Sequence, residues 1–339
     1  MFAREASNNP AIADALEGAV FLKIDCEKGE GPDVAKIYGI RAYPTFYAVN
    51  GDGEVTDRWI GYEGAERWAA TVENAKADMR TMAAKKEAYA AAPTADLAAR
   101  LANDAACDFD FRVAVDHFKK ARELNPSDAD HFTEQILTNM YYGADGGGFT
   151  FAEVAAEADL AFASPGATVS DKVELAQMVS RMAGSMDARE KAVPYITAAL
   201  KAAEGNTDED LARSLTGLRI DHALLVEKDA DKAFELKVGL QPEGWRDEAR
   251  RLNAFAWWCF ENGIKLDEAE EMALRGIELA EDDAQRATIL DTAAEICAAR
   301  GDCTEALVRI RKAIELDPEN DYYKDQLAKF DKKAAEDCG

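Results

Sequence analysis

Two stretches near the C terminus read alike when one is displaced by 37 residues: Glu268, Ala269, Ala273, Gly276, Ile277 and Leu279 return as Glu305, Ala306, Ile310, Ala313, Ile314 and Leu316. A repeat on this scale is a helical hairpin, which cannot bury its apolar stripe alone and must stack on its neighbours. The segments before them, NAFAWWCFENG and ILDTAAEICAARG, each end in glycine, the residue that closes one helix before the next opens. Small residues at the contacts allow each hairpin to pack closely. From residue 81 to 339 the chain is rich in alanine, leucine, glutamate and lysine at helical spacing.

Residues 1–80 are built differently, with the change of texture falling between 75 and 93. Asn9 and Pro10 open a short helix at Ala11 to Leu16, and AVFLKID then reads as a buried strand ending at Asp25. Pro32 and Gly39 bracket a helix with Val34, Ile37 and Tyr38 on one side. TFYAVN predicts a strand, GDG a turn, EVTDRWIGY a second strand, and Glu66 to Met79 a closing helix. An open sheet is normally entered by an earlier strand whose helix crosses over it. MFAREAS reads as the tail of such a helix, its upstream half absent.

Phe21-Leu22-Lys23-Ile24-Asp25, the run Val34 to Phe46, Asn50-Gly51-Asp52-Gly53 and Gly61-Tyr62 resemble the second half of a thioredoxin fold, most closely in thioredoxin-like proteins with a helical extension. The resemblance implies that Pro44, between Tyr43 and Thr45, is the cis-proline that supports a redox pair. Such a proline lacks a backbone donor and bends the chain, so that neighbouring backbone groups face a thiol or an extended peptide. Disulfide exchange also needs an attacking thiolate. No CxxC occurs in this sequence, and the family places it at the start of the helix whose remainder is Met1 to Ala6. Two expectations stand: a misassigned start that omits the first strand and the CxxC, along with any export signal, or a truncated, redox-silent copy. Cys26 follows a strand rather than opening a helix, so no positive helix end lowers its pKa. Arg41 and Arg58 read as solvated surface charge ahead of the other reading, an approach to acidic partners.

ALVRIRKAIELDPEN resembles the second half of a tetratricopeptide repeat, with Ala306, Ile310, Ala313 and Pro318 in the family's positions and Gly301 at its turn. AVDHFKKARELNPSD repeats that spacing with Ala114, Phe118, Ala121 and Pro126, following Leu101 and Ala102; Phe109 stands where the turn glycine is expected. Residues 94–128 and 253–325 carry the pattern most clearly, and 171–240 poorly. YYGADGGGFTFAEV and FASPGATVS interrupt it. The fold class expected is α/β plus all-α: a partial thioredoxin-like domain over 1–80, then a tetratricopeptide-like hairpin array over 81–339.

The 65 acidic against 40 basic residues leave a charge of -25, which repels a polyanion and makes nucleic acid an unsuitable partner. The first 80 residues hold 9 basic and 14 acidic side chains, so most of the excess lies on the helical part, where it suits basic or neutral peptides. No apolar run reaches the ~20 residues of a membrane span. Cys26, Cys107, Cys259, Cys297, Cys303 and Cys338 are scattered, and His117, His131 and His222 are too far apart for a local zinc motif, so no metal or cofactor is expected. Cys297 and Cys303 either approach on facing helices or are ordinary core thiols. Trp257 and Trp258, with Phe260, are candidate peptide-binding residues or ordinary packing; adjacent tryptophans cannot face the same way on a helix, so one reads as core and the other as a groove residue. Tyr141 and Tyr142 pose the same question, and Glu270-Glu271 and Asp282-Asp283 read as solvated carboxylates.

Two functions follow. One is a thioredoxin-like part in protein thiol-disulfide exchange, inactive as this chain for want of a CxxC and an oxidoreductase only if an upstream CxxC is restored, with Pro44 shaping the approach of a client protein. The alternative is a noncatalytic, peptide- or protein-binding helical-repeat scaffold. As written the chain reads as cytoplasmic, whereas an omitted signal peptide implies an extracytoplasmic setting. Client identity, the direction of electron flow and oligomeric state stay open.

Overall fold

The structure is a computed structural model that describes residues 2–5 and 8–337. A single turn, α1 (Phe2–Glu5), precedes α2 (Pro10–Ala15), where Asn9 accepts from the Ala11 amide and Pro10 presets the first helical φ. Met1 and Ala6, part of the expected helix tail, lie outside the described residues. Helix α3 (Gly31–Tyr38) starts at its proline and stops at Gly39, whose left-handed φ of 65° ends the helix. Strands β1 (Thr45–Val49) and β2 (Val55–Ile60) form one antiparallel hairpin, with a bulge at Ala48/Val49. Its turn is held by Asn50, whose side-chain oxygen accepts from the Asp52 and Glu54 amides. Helix α4 (Ala65–Ala77) lays Trp68 and Val72 against Ile12, Trp59 and Phe46.

The expected buried strand AVFLKID does not form. Residues 20–25 run without turn or bend, the backbone of 20–24 makes no backbone hydrogen bond among the described residues, and Val20 and Leu22 are 89% and 75% exposed. Strand composition is not enough: a strand exists only where a neighbour satisfies its amides, and the sheet among the described residues has two strands, both elsewhere.

Beyond α4 the chain is helical: α5 (Met82–Ala91), α6 (Ala95–Cys107), α7 (Phe111–Leu124), α8 (Ala129–Gly143), α9 (Phe151–Ala163), α10 (Val169–Ser185) and α11 (Val193–Ala202). Side-chain oxygens of Thr81, Thr94, Asp110, Thr150 and Thr168 satisfy otherwise orphaned amides at five of these starts, Thr150 and Thr168 within capping boxes. The glycine-rich break after α8 is a tight turn: a Cβ on Gly143 would come within 2.7 Å of the Phe149 ring. Helices α5 and α6 pack on β2. Lys85, with no exposed surface, donates to Thr56 O (2.8 Å) and Asp57 Oδ2 (2.6 Å), and Arg100 reaches the same carboxylate. Arg58 is not the solvated charge its sequence suggests. It bonds Asp104 and Asp108 on and beside α6, with 16% of its side chain exposed.

By internal contacts residues 1–202 form one compact unit and 203–339 another. The second holds α12 (Glu209–His222), α13 (Ala230–Gly239), α14 (Ala249–Asn262), α15 (Leu266–Leu279), α16 (Asp283–Ala299), α17 (Cys303–Leu316) and α18 (Asp321–Asp337). From α14 onward each helix packs on the next. Ala269, Ala273 and Gly276 let α15 close on its neighbours; a Cβ on Gly276 would stand 3.4 Å from Ala249 O. Two expected solvated carboxylates have structural partners instead: Glu270 bonds Arg300, Arg309 and the Cys297 thiol, and Asp282 caps α16. Cys297 is a free thiol, and Cys338 lies outside the described residues. Among the described residues no helix is long and apolar enough to cross a membrane. The molecule is thus mostly helical with a small antiparallel sheet, of mixed α/β and all-α character.

Candidate functional site

Tyr43, Pro44 and Thr45 lead into β1. The Tyr43–Pro44 bond is cis, Tyr43 is 62% exposed, and Thr45 Oγ1 donates to Ala42 O at 2.6 Å. Pro44 O accepts from the Gly61 amide at the end of β2. The free thiols in the helices are poor nucleophiles, because burial pushes Cys107 and Cys259 up to about 12 and raises Cys297 as well. Cys26 is half-buried in the turn after residues 20–25, ahead of α3 rather than at its first turn.

A cavity of about 280 Å³ opens between β2, α4, α6 and α8. Its cations are all answered: Arg58 by Asp104 and Asp108, Arg67 by Asp128, and Arg100 by Asp57 and Asp96. On one wall Gln135 donates to Glu63 at 2.7 Å, and His131 Nδ1 stands 3.6 Å from the other Glu63 oxygen. Burial raises the Glu63 carboxyl and lowers the His131 imidazole, so both shifts favour the uncharged forms. The Trp68 indole N–H is buried without a hydrogen-bond partner among the described residues. The cleft is polar, without a surplus of either charge, and suits amide-like groups better than a phosphate or a metal. Sequence reasoning missed Glu63 and Gln135 and set His131 aside, because no local spacing announces groups that meet across about 70 residues of chain.

On α14 the neighbouring tryptophans part. Trp258 joins the core, its ring 5.6 Å from that of Phe255 with Lys237 above it at 5.2 Å. Trp257 lies half-buried against Phe260. One turn earlier on the stripe of Trp257, Asn253 keeps its Oδ1 buried with no hydrogen-bond partner among the described residues. The structure thus places the half-exposed Trp257 and a buried acceptor on one stripe of α14. Tyr142 is 62% exposed and Tyr141 half-buried. Pro44 and Trp257 belong to different compact units.

No protein-family model matches this chain. No curated protein matches it either. Among solved structures it is similar to BtubC (BKLC) from P. vanneervenii, at 14% identity and a TM-score of 0.34 over 70% of this chain and 90% of that one. A likeness of that size carries no argument about fold or role.

Proposed function

We propose that this chain is a noncatalytic scaffold of stacked helical hairpins that binds peptides or proteins. The observation that carries the reading is the run α14 to α18, in which each helix packs on the next through small residues while Trp257 on α14 stays half-exposed. The repeated turns and the alanine contacts support the resemblance of residues 94–128 and 253–325 to tetratricopeptide repeats. With a charge of -25, the scaffold favours basic or neutral partners. Fluorescence anisotropy with labelled basic, neutral and acidic peptides tests this. Basic peptides bind, and Trp257→Ala weakens them about tenfold, in the range of an aromatic anchor. Equal binding of acidic peptides, or indifference to Trp257→Ala, sinks the assignment.

A second reading is favoured by the order α3, β1, β2, α4 with Pro44 at the head of β1. This part would then be the latter half of a thioredoxin-like domain whose nucleophile comes from outside these residues. Insulin disulfide reduction distinguishes the two readings. The chain as it stands gives no turnover, and a form extended upstream gives turnover only if it carries a CxxC.

A further inference from the structure

The cleft between β2, α4, α6 and α8 is lined in part by a residue whose polar atom the fold leaves unsatisfied. Trp68 is only 4% exposed, and its indole N–H has no hydrogen-bond partner among the described residues. A buried donor left open weakens a fold, so it calls for a use.

Other neutral groups on the same walls are open too. The Asn103 side chain, half-buried on α6, makes no hydrogen bond among the described residues. Gln135 donates to Glu63, and its side-chain carbonyl accepts nothing among those residues. Asn125 accepts from Ser127, and its amide N–H groups stay unused among them. The charged groups differ. Arg58, Arg67 and Arg100 already hold Asp104, Asp128 and Asp57, so an anion finds no free cation there. A cation reaching Glu63 would share the walls with those three guanidiniums. At about 280 Å³ the space falls just short of the ~300–1,000 Å³ that encloses a drug-sized ligand. Its occupant is therefore small and uncharged, and both donates and accepts.

We propose that this cleft binds a neutral carboxamide of the kind carried by glutamine and asparagine. That group holds two N–H donors and one carbonyl acceptor in a single plane. Its carbonyl answers the N–H groups of Trp68 and Asn125, and its N–H groups answer the carbonyls of Asn103 and Gln135. The inference goes beyond the helical scaffold and does not depend on it, because the cleft lies in the first compact unit and Trp257 in the second.

The test uses the full chain, isotope-labelled for NMR, with the Trp68 indole resonance identified by its loss in Trp68→Phe. Titration with N-acetylglutamine methylamide shifts that resonance saturably, whereas the methionine, glutamate and lysine analogues of similar length bind at least about tenfold more weakly. Asn103→Ala weakens the glutamine compound about tenfold with unchanged thermal unfolding, because that side chain makes no hydrogen bond in the free chain. Equal binding of the methionine analogue reduces the cleft to an apolar hole and overturns the assignment. Tighter binding of the glutamate or lysine analogue makes it an ion site and overturns it as well. So does saturation that leaves the Trp68 resonance unmoved, or no shift with the glutamine compound at about 100 mM. Propionamide and a capped glycine–glutamine–glycine peptide then separate the two sources of the group. Equal affinity supports a free small amide as the ligand, and a peptide at least about tenfold tighter supports a side chain of a polypeptide.

Discussion

Phe109 occupies a position that belongs to glycine. Its φ is 64°, and it follows α6 as Gly301, at 85°, follows α16; in each turn the next amide bonds back to the helix, Asp110 to Ala105 O and Asp302 to Cys297 O. A side chain in this left-handed region costs about 1–2 kcal/mol, set against ring contacts with Phe111 and Arg41. Phe109→Gly therefore raises unfolding free energy by about 0.5–1 kcal/mol in urea melts; a loss would mean that the ring's contacts outweigh the strain. Asp291 is the opposite case, a buried carboxyl with one oxygen lacking a partner among the described residues. Burial, and then the neighbouring Glu295, hold its pKa up at about 6. A raised carboxyl pKa means that the folded state takes up the proton first, so this group's penalty is fully present above about 6 and is relieved as pH falls toward the unfolded value near ~4. Asp291→Asn carries that relief already at neutral pH. It is more stable to unfolding than the parent at pH 7, by up to about 2–3 kcal/mol in urea melts, and the gap narrows as pH falls through 6 and closes only below about pH 4.

At the scale of elements, the turns are where sequence and structure agree most closely. Gly39, Gly263 and Gly301 each take positive φ at a helix end, and caps such as Thr94, Thr150 and Asp302 sit where their residue type marks them. Such signals are local, so they are legible without tertiary knowledge. Residues 20–25 mislead because their apolar content is local but their pairing is not. Arg58 misleads for the same reason, its partners lying 46 and 50 residues away. In the candidate site the aromatic pair on α14 was legible, whereas the Glu63–His131–Gln135 wall required the fold. Helix α14 also carries a sharp energetic test: Phe255, 1% exposed, stacks on Trp245 at 5.0 Å and meets Trp258. Phe255→Ala costs about 3–5 kcal/mol in chemical denaturation. A cost below 1 kcal/mol would show that the helix repacks freely around the gap.

For the molecule as a whole, the charge of -25 sets a background repulsion against which both cores hold. Screening falls within ~10 Å at 0.1 M salt, so exposed charges feel added ions and buried pairs hardly do. The melting temperature therefore rises by several degrees between roughly 10 and 150 mM sodium chloride, as read by calorimetry. A fall over that range would mean that surface ion pairs such as Lys265–Asp231 and Arg112–Glu153 contribute more than the repulsion takes away. Lys85 answers to neither effect, sealed between β2 and α5 with its ammonium on Asp57. An amine-acylating reagent reaches it only when the hairpin lifts off that helix, so the rate at which Lys85 is modified is a clock for that opening, read by mass from a single side chain.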